Sequence, residues 1–174
     1  MSGTRIGYTF DDKAFAAAVA KLSGGLSKGV MKAIGTGLVE VVNQRFESGT
    51  EPMGAKWHPL LPAYAAIKKG PGILRASLML QRSVTFSVAG NQVTIGSNRI
   101  YAAVHQFGAT IKPVRAKALA FRLGMAGPRG GKSSGIVRAK SVTVPARPYL
   151  GFGPKDQRSV METLAVFLHH ELSG

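Results

Sequence analysis

Four histidines, eight carboxylic acids and one Gly-Lys-Ser tripeptide are the groups that could carry chemistry in this chain of 174 residues. Their spacing supports none. His58 precedes a proline, His105 stands apart, and His169 and His170 are neighbours that would point about 100° apart on a helix. A zinc hydrolase needs two histidines on one helical face with a glutamate between them, and that spacing does not occur. Acid–base or two-metal chemistry needs paired carboxylates, yet only Asp11 and Asp12 are close in sequence. The run GPRGGKSS at 127–134 has Ala126 where a phosphate loop requires its first glycine. With no cysteine there is no disulfide, thiolate nucleophile or Cys-ligated metal. The expectation is a protein without catalysis, metal or cofactor.

Charge points to a partner instead. The net charge is +15, and all of the excess lies between Pro52 and Lys155, which hold 16 basic residues and no acidic one; the flanks carry 7 bases and 8 acids. Uncompensated cations on one module repel each other unless a polyanion or an acidic protein surface neutralises them. DNA passing close by is the first candidate, an acidic protein ring the second, and a merely soluble basic surface the plain alternative. Lys112, Arg115, Lys117, Arg122, Arg129, Lys132, Arg138 and Lys140 are the candidate DNA-facing or anion-facing residues.

The elements that must position these groups follow from periodicity. Between residues 11 and 48 the apolar positions recur every three to five residues, which predicts two helices or one broken at Gly24-Gly25. Gly35 and Gly37 inside the second stripe are either tolerated weak points or places where another backbone comes close, and close packing is the favoured reading. Residues 49–62 form an ordered loop anchored by Trp57, the only tryptophan. Short helical turns are expected over 64–69 and 73–80. Val84, Phe86 and Val88, then Val93 and Ile95, alternate around Gly90-Asn91 and predict a β-hairpin over 83–96.

Residues 99–106 read as a short helix closed by Gly108. A second, longer hairpin follows, a basic β-arm over 110–144 with a flexible tip. Leu119, Phe121 and Leu123 alternate on one side, and together with Ile136, Val142 and Val144 they put more apolar side chains on the arm than an isolated two-stranded ladder carries, so a neighbouring subunit is expected to cover them. A terminal helix over 154–172 opens at Gly153-Pro154 or with Asp156 as N-cap, and turns Val160, Leu164, Phe167 and Leu168 to one face. The fold class is α+β: a small antiparallel sheet packed against N- and C-terminal helices, with a long protruding β-hairpin arm. The length suits one domain over 1–174, and no apolar run suits a signal peptide or a membrane span.

Two segments are the most informative, YAAVHQFG at 101–108 and VPARPYLG at 144–151. His105 and Gln106 read as groups that satisfy backbone at the end of a short helix. Arg147, between Pro145 and Pro148, projects from a stiff extended segment; it would pin the sheet to the terminal helix or reach a neighbouring subunit.

With the loop FESGTEPMGAKWHPL at 46–60, these segments resemble the phage virion morphogenesis, or tail completion, family of Mu-like phages. The resemblance covers about residues 15–170 and rests on Phe46, the P-M-G run at 52–54, Trp57, Lys68 or Lys69, the leucine-rich stretch 74–80, then Tyr101, His105, Gln106, Phe107, Gly108, Pro145, Arg147, Pro148 and Tyr149. Ala76-Ser77 stands where the family carries a glycine. The resemblance implies no catalysis. It implies a structural neck protein of the virion, assembled in the bacterial cytoplasm as a homo-oligomeric ring of about six copies. Such a ring completes the tail, joins it to the head and contacts connector or stopper, tail terminator and tail tube, with genomic DNA in the lumen and no membrane. The competing class is a free, non-specific DNA- or RNA-binding accessory protein.

Overall fold

A computed structural model describes residues 4–7, 26–126 and 132–172 of the chain. The helix expected before Gly24, the tip of the arm at 127–131 and Arg129 lie outside the described residues. The elements are β1 (Thr4–Gly7), α1 (Lys28–Ser48), α2 (Pro62–Ala65), α3 (Met79–Arg82), β2 (Val84–Ala89), β3 (Gln92–Ser97), α4 (Ala102–Phe107), β4 (Ala109–Ile111), β5 (Leu119–Ala126), β6 (Lys132–Ala139), β7 (Val142–Val144) and α5 (Pro154–Leu172).

Helix α1 organises the body. Its N-cap Ser27 accepts from the Val30 N–H at 3.3 Å, and it stops where Gly49, in the left-handed region, returns its own N–H to the Arg45 carbonyl at 2.8 Å. The buried stripe Val30, Met31, Ile34, Leu38, Val42 and Phe46 serves two apolar clusters in turn. The first half of the stripe packs with Val160 and Leu164 of α5, and the second half with Trp57, Leu80, Val84, Ala102, Tyr149 and Leu150. Helix α1 therefore lies on the β2–β3 pair, with α5 along its side. Small antiparallel sheets flanked by helices make this an α+β fold, as the periodicity predicts.

The sheet under α1 has order β1-β3-β2, all antiparallel. Val84, Phe86 and Val88 stand opposite Ser97, Ile95 and Val93, so one face carries the apolar set and the other carries Thr85, Ser87 and Thr94. The strand β1 was not foreseen, because four residues are too few to show alternation. Gly35 and Gly37 are points of close packing, with side chains nearest to both: a Cβ on Gly35 would overlap the Phe86 ring, and one on Gly37 would lie 2.6 Å from the Ser159 hydroxyl of α5.

The turn expected over 64–69 is there, α2 running on until the Lys68 N–H bonds the Tyr64 carbonyl at 2.9 Å, whereas of the stretch 73–80 only its end is helical, in α3. Leu74 and Leu78 instead sit at φ 59° and 60°, in the left-handed region that a bulky side chain rarely enters. The chain bends there with leucines, on either side of Ala76-Ser77.

The arm is two ladders rather than one. β4 pairs with β7 next to the body, and β5 pairs with β6 beyond a joint of residues 112–118 on one strand and 140–141 on the other. β5 also touches α2, so the hairpin is not wholly free of its own body. The β5–β6 register sets Leu119 against Ala139 and Phe121 against Val137, whereas Ile136 stands opposite Arg122. Ile136 thus belongs to the face of Arg122 and Arg138. Val137 and Ala139 share the other face with Phe121 and Leu119.

Candidate interaction surface at the base of the arm

The two informative segments meet. Residues 145–151 run extended through the centre of the protein and are held from three sides by buried side chains. From α4, the Gln106 amide oxygen accepts the Tyr149 and Leu150 N–H groups at 3.1 and 3.0 Å, and its NH2 donates to the Leu150 carbonyl at 2.7 Å. From α1, Arg45 donates to the Tyr149 and Gly151 carbonyls at 3.1 and 3.0 Å and pairs with Asp156. From the loop after α1, Trp57 Nε1 donates to the Pro148 carbonyl at 2.8 Å, with its ring edge-on to Phe46.

Arg147 works in the other direction. Its N–H bonds the His105 carbonyl at 2.8 Å, while Nε and Nη2 donate to the successive carbonyls of His58 and Pro59 at 2.8 and 3.0 Å. This corrects the sequence expectation: Arg147 pins the tryptophan loop, and not the terminal helix. A planar fork with several fixed donors suits two adjacent carbonyls, which one ammonium does not match. Burial lowers the Arg147 pKa, and neighbouring Tyr64 opposes that shift.

Gln106 satisfies backbone groups, but those of a segment 43 and 44 residues onward instead of its own helix end. Tyr149 is fully buried, and burial first, then Tyr101, pushes its phenol up to about 12. His105 is edge-on to Tyr101, its Nδ1 is buried without a hydrogen-bond partner, and burial together with Arg147 lowers its pKa. Gly108 follows α4 at φ 72° and ψ 164°, outside the usual left-handed cap; a Cβ there would come within 3.0 Å of the Val144 oxygen and closer still to the Ala146 nitrogen. The segments press together at that point. Phe107 departs from the structural part expected of it, being 62% exposed. Pro145 and Pro148 are half-buried.

Arg45 and Asp156 were missed by sequence reasoning. A signal existed: Arg45 falls on the buried stripe of α1, in line with Leu38, Val41 and Val42. Asp156 is not the N-cap. It is the third residue of α5, and its carboxylate reaches back to the Gly153 N–H at 2.8 Å while pairing with Arg45. Burial raises its pKa, and Arg45 and the Gly153 N–H pull in the opposite direction.

Against this frame lies a cleft of about 660 Å³ between the tryptophan loop, α2, the 74–80 stretch, α4 and β7. Val142 and Val144, foreseen as interface residues, line it. Leu119 is half-buried at the start of β5, and Phe121 and Leu123 share its side of the ladder by register. Lys112, Arg115 and Lys117 lie exposed in the joint, with Arg138 and Lys140 exposed on the returning strand. Arg122, Lys132 and Arg138 stand opposite Ile136, Ala126 and Ala120, which puts these three positions on one face of the distal ladder. Among the described residues no cluster of His, Asp and Glu could hold a metal, and no helix is long and apolar enough to cross a membrane.

The model of the phage virion morphogenesis family matches residues 11–169. The chain belongs to that family. It is a structural morphogenesis protein, not an enzyme. Among its relatives, the Mu-like prophage FluMu G protein 2 of Haemophilus influenzae is 28% identical over 135 residues, covering 78% of this chain and 73% of the relative. The putative capsid assembly protein G of Escherichia phage Mu is 25% identical over 143 residues, covering 79% and 76%. No solved structure gives a significant match. The family and its Mu-like relatives associate the chain with the virion, with tail assembly and with other phage structural proteins.

Proposed function

We propose that this protein is a neck component of a tailed bacteriophage, a ring of about six copies that completes the tail and joins it to the head. The observation that carries the reading is the arm. A two-stranded ladder is marginal in water on its own, yet β5–β6 keeps Leu119, Phe121 and Leu123 in register on one side and exposes Ile136 and Arg138 on the other. Sister copies supply the cover that side needs, by packing on it or by pairing with its edge. The opposite side and the joint carry the cations, which suits a lumen wall along which DNA phosphates pass without base readout.

Light scattering on protein in which residues 112–140 are replaced by a short Gly-Ser turn tests the ring. Loss of self-association supports the reading, and unchanged ring formation refutes it. Charge reversal at Arg122, Lys132 and Arg138 tests the lumen: infectivity drops with ring size intact if DNA passes there, and normal infectivity rejects it. The competing reading, a free nucleic-acid-binding protein, is favoured by the acid-free centre. It requires a monomer that binds DNA tightly and with steep salt dependence, which sizing plus a gel-shift series distinguishes.

A further inference from the structure

We infer that the cleft at the base of the arm is a docking site for a peptide segment of a different protein, one that carries an apolar side chain flanked by carboxylates. Its walls are mainly apolar, with Leu61, Tyr64, Leu74, Tyr101 and Val144 among them, and Lys68 stands among the lining residues. No acidic residue lines it. Every lining residue comes from the stretch with no acidic side chain, so the charged side chains of the lining, Lys68 and Arg147, are cationic and none is negative. An apolar cleft whose charged groups are all cationic selects an apolar anchor bearing negative charge, and it repels the arm of a second copy, which is itself cationic.

The walls are built to stay open. Arg147 fixes the His58–Pro59 wall through its two carbonyl bonds. Leu74 enters the cleft from a left-handed backbone position, a conformation that persists only where the surroundings over-determine it. Leu61 is 71% exposed at the rim, a large apolar side chain left for a partner. The inference does not require the ring: no lining residue lies in the β5–β6 ladder, whose β5 strand only touches α2 at the edge of the cleft.

The test is an array of twelve-residue peptides in which apolar triplets are flanked by Asp/Glu, by Lys/Arg or by Ser, probed with the full-length protein. Binders concentrated in the acid-flanked set are expected. For the best of them, polarisation titrations should weaken by about tenfold in Leu61→Asp, the loss of one apolar anchor, and Lys68→Glu should remove the preference for acid. Both side chains lie away from the apolar core, so an unchanged thermal midpoint marks the loss as one of binding. Binders spread evenly over the three sets, or retained by Leu61→Asp, overturn the inference. So does loss of self-association in Leu61→Asp by light scattering, which would make a second copy the occupant. Ring formation by the arm is read in the same instrument on the arm replacement, so the two proposals fail separately.

Discussion

Replacing Gln106 by Leu keeps most of the side-chain volume and removes the amide that clamps residues 149 and 150. Gln106 is 5% exposed, Tyr149 0% and Leu150 3%, so water does not reach the groups left behind. Two N–H donors and one carbonyl lose their partners. Each orphaned buried group costs about 1–3 kcal/mol, and with local relaxation the sum is about 3–6 kcal/mol. That is a large share of the roughly 5–15 kcal/mol that holds a typical domain. Urea denaturation at pH 7, followed by circular dichroism, should show the midpoint falling accordingly. Gln106→Glu gives the internal control. Its carboxyl still accepts both N–H groups, but donates to the Leu150 carbonyl only when protonated. Its folded pKa is therefore raised, and relative to wild type its stability is best below about pH 4.3, the unfolded glutamate value, and declines as pH rises above it. A Gln106→Leu protein within about 0.5 kcal/mol of wild type would refute the claim that this clamp holds the core together.

Arg147→Lys keeps the charge but loses the fork to His58 and Pro59; a loss of about 1–2 kcal/mol is expected, with Trp57 fluorescence shifting to the red as its loop loosens. Gly35→Ala should cost about 1–3 kcal/mol by driving a methyl into the Phe86 ring, and Phe86→Leu in the same chain should recover part of it, as thermal melts would show. Because burial lowers the His105 pKa, the unfolded chain takes up this proton first. Stability should then fall as pH drops through about 6.5, and Gln in place of His105 should flatten that slope in denaturation curves measured from pH 7 to pH 5.

Local pattern made much of this fold legible. The stripe of α1 and the alternation around Gly90-Asn91 announce their elements, because burial on one face repeats at the period of the structure. Contacts between distant segments were not legible in the same way. Nothing near Gln106 says that its amide is taken up 44 residues later, or that Arg45 reaches Asp156 across 111 residues. The left-handed turns at Leu74 and Leu78 escaped because leucine carries no turn signal, and tertiary packing sets them. Which side Ile136 takes was not legible for a related reason: the period of two is visible in one strand, but its phase against the partner is set by the ladder. The candidate surface was legible in part, through Val142 and Val144; its far wall depended on the bend at Leu74.

The unequal joint in the arm has a mechanical meaning. Seven residues, 112–118, face two, 140–141, so the outgoing strand carries slack that the returning strand lacks. A beam of uninterrupted ladder would transmit every tilt of its far end to its root. An elbow does not. The root, wedged by Gly108 and bolted by Arg147, is set by its own pairing and not by that of the outer ladder, which meets the body separately where β5 touches α2.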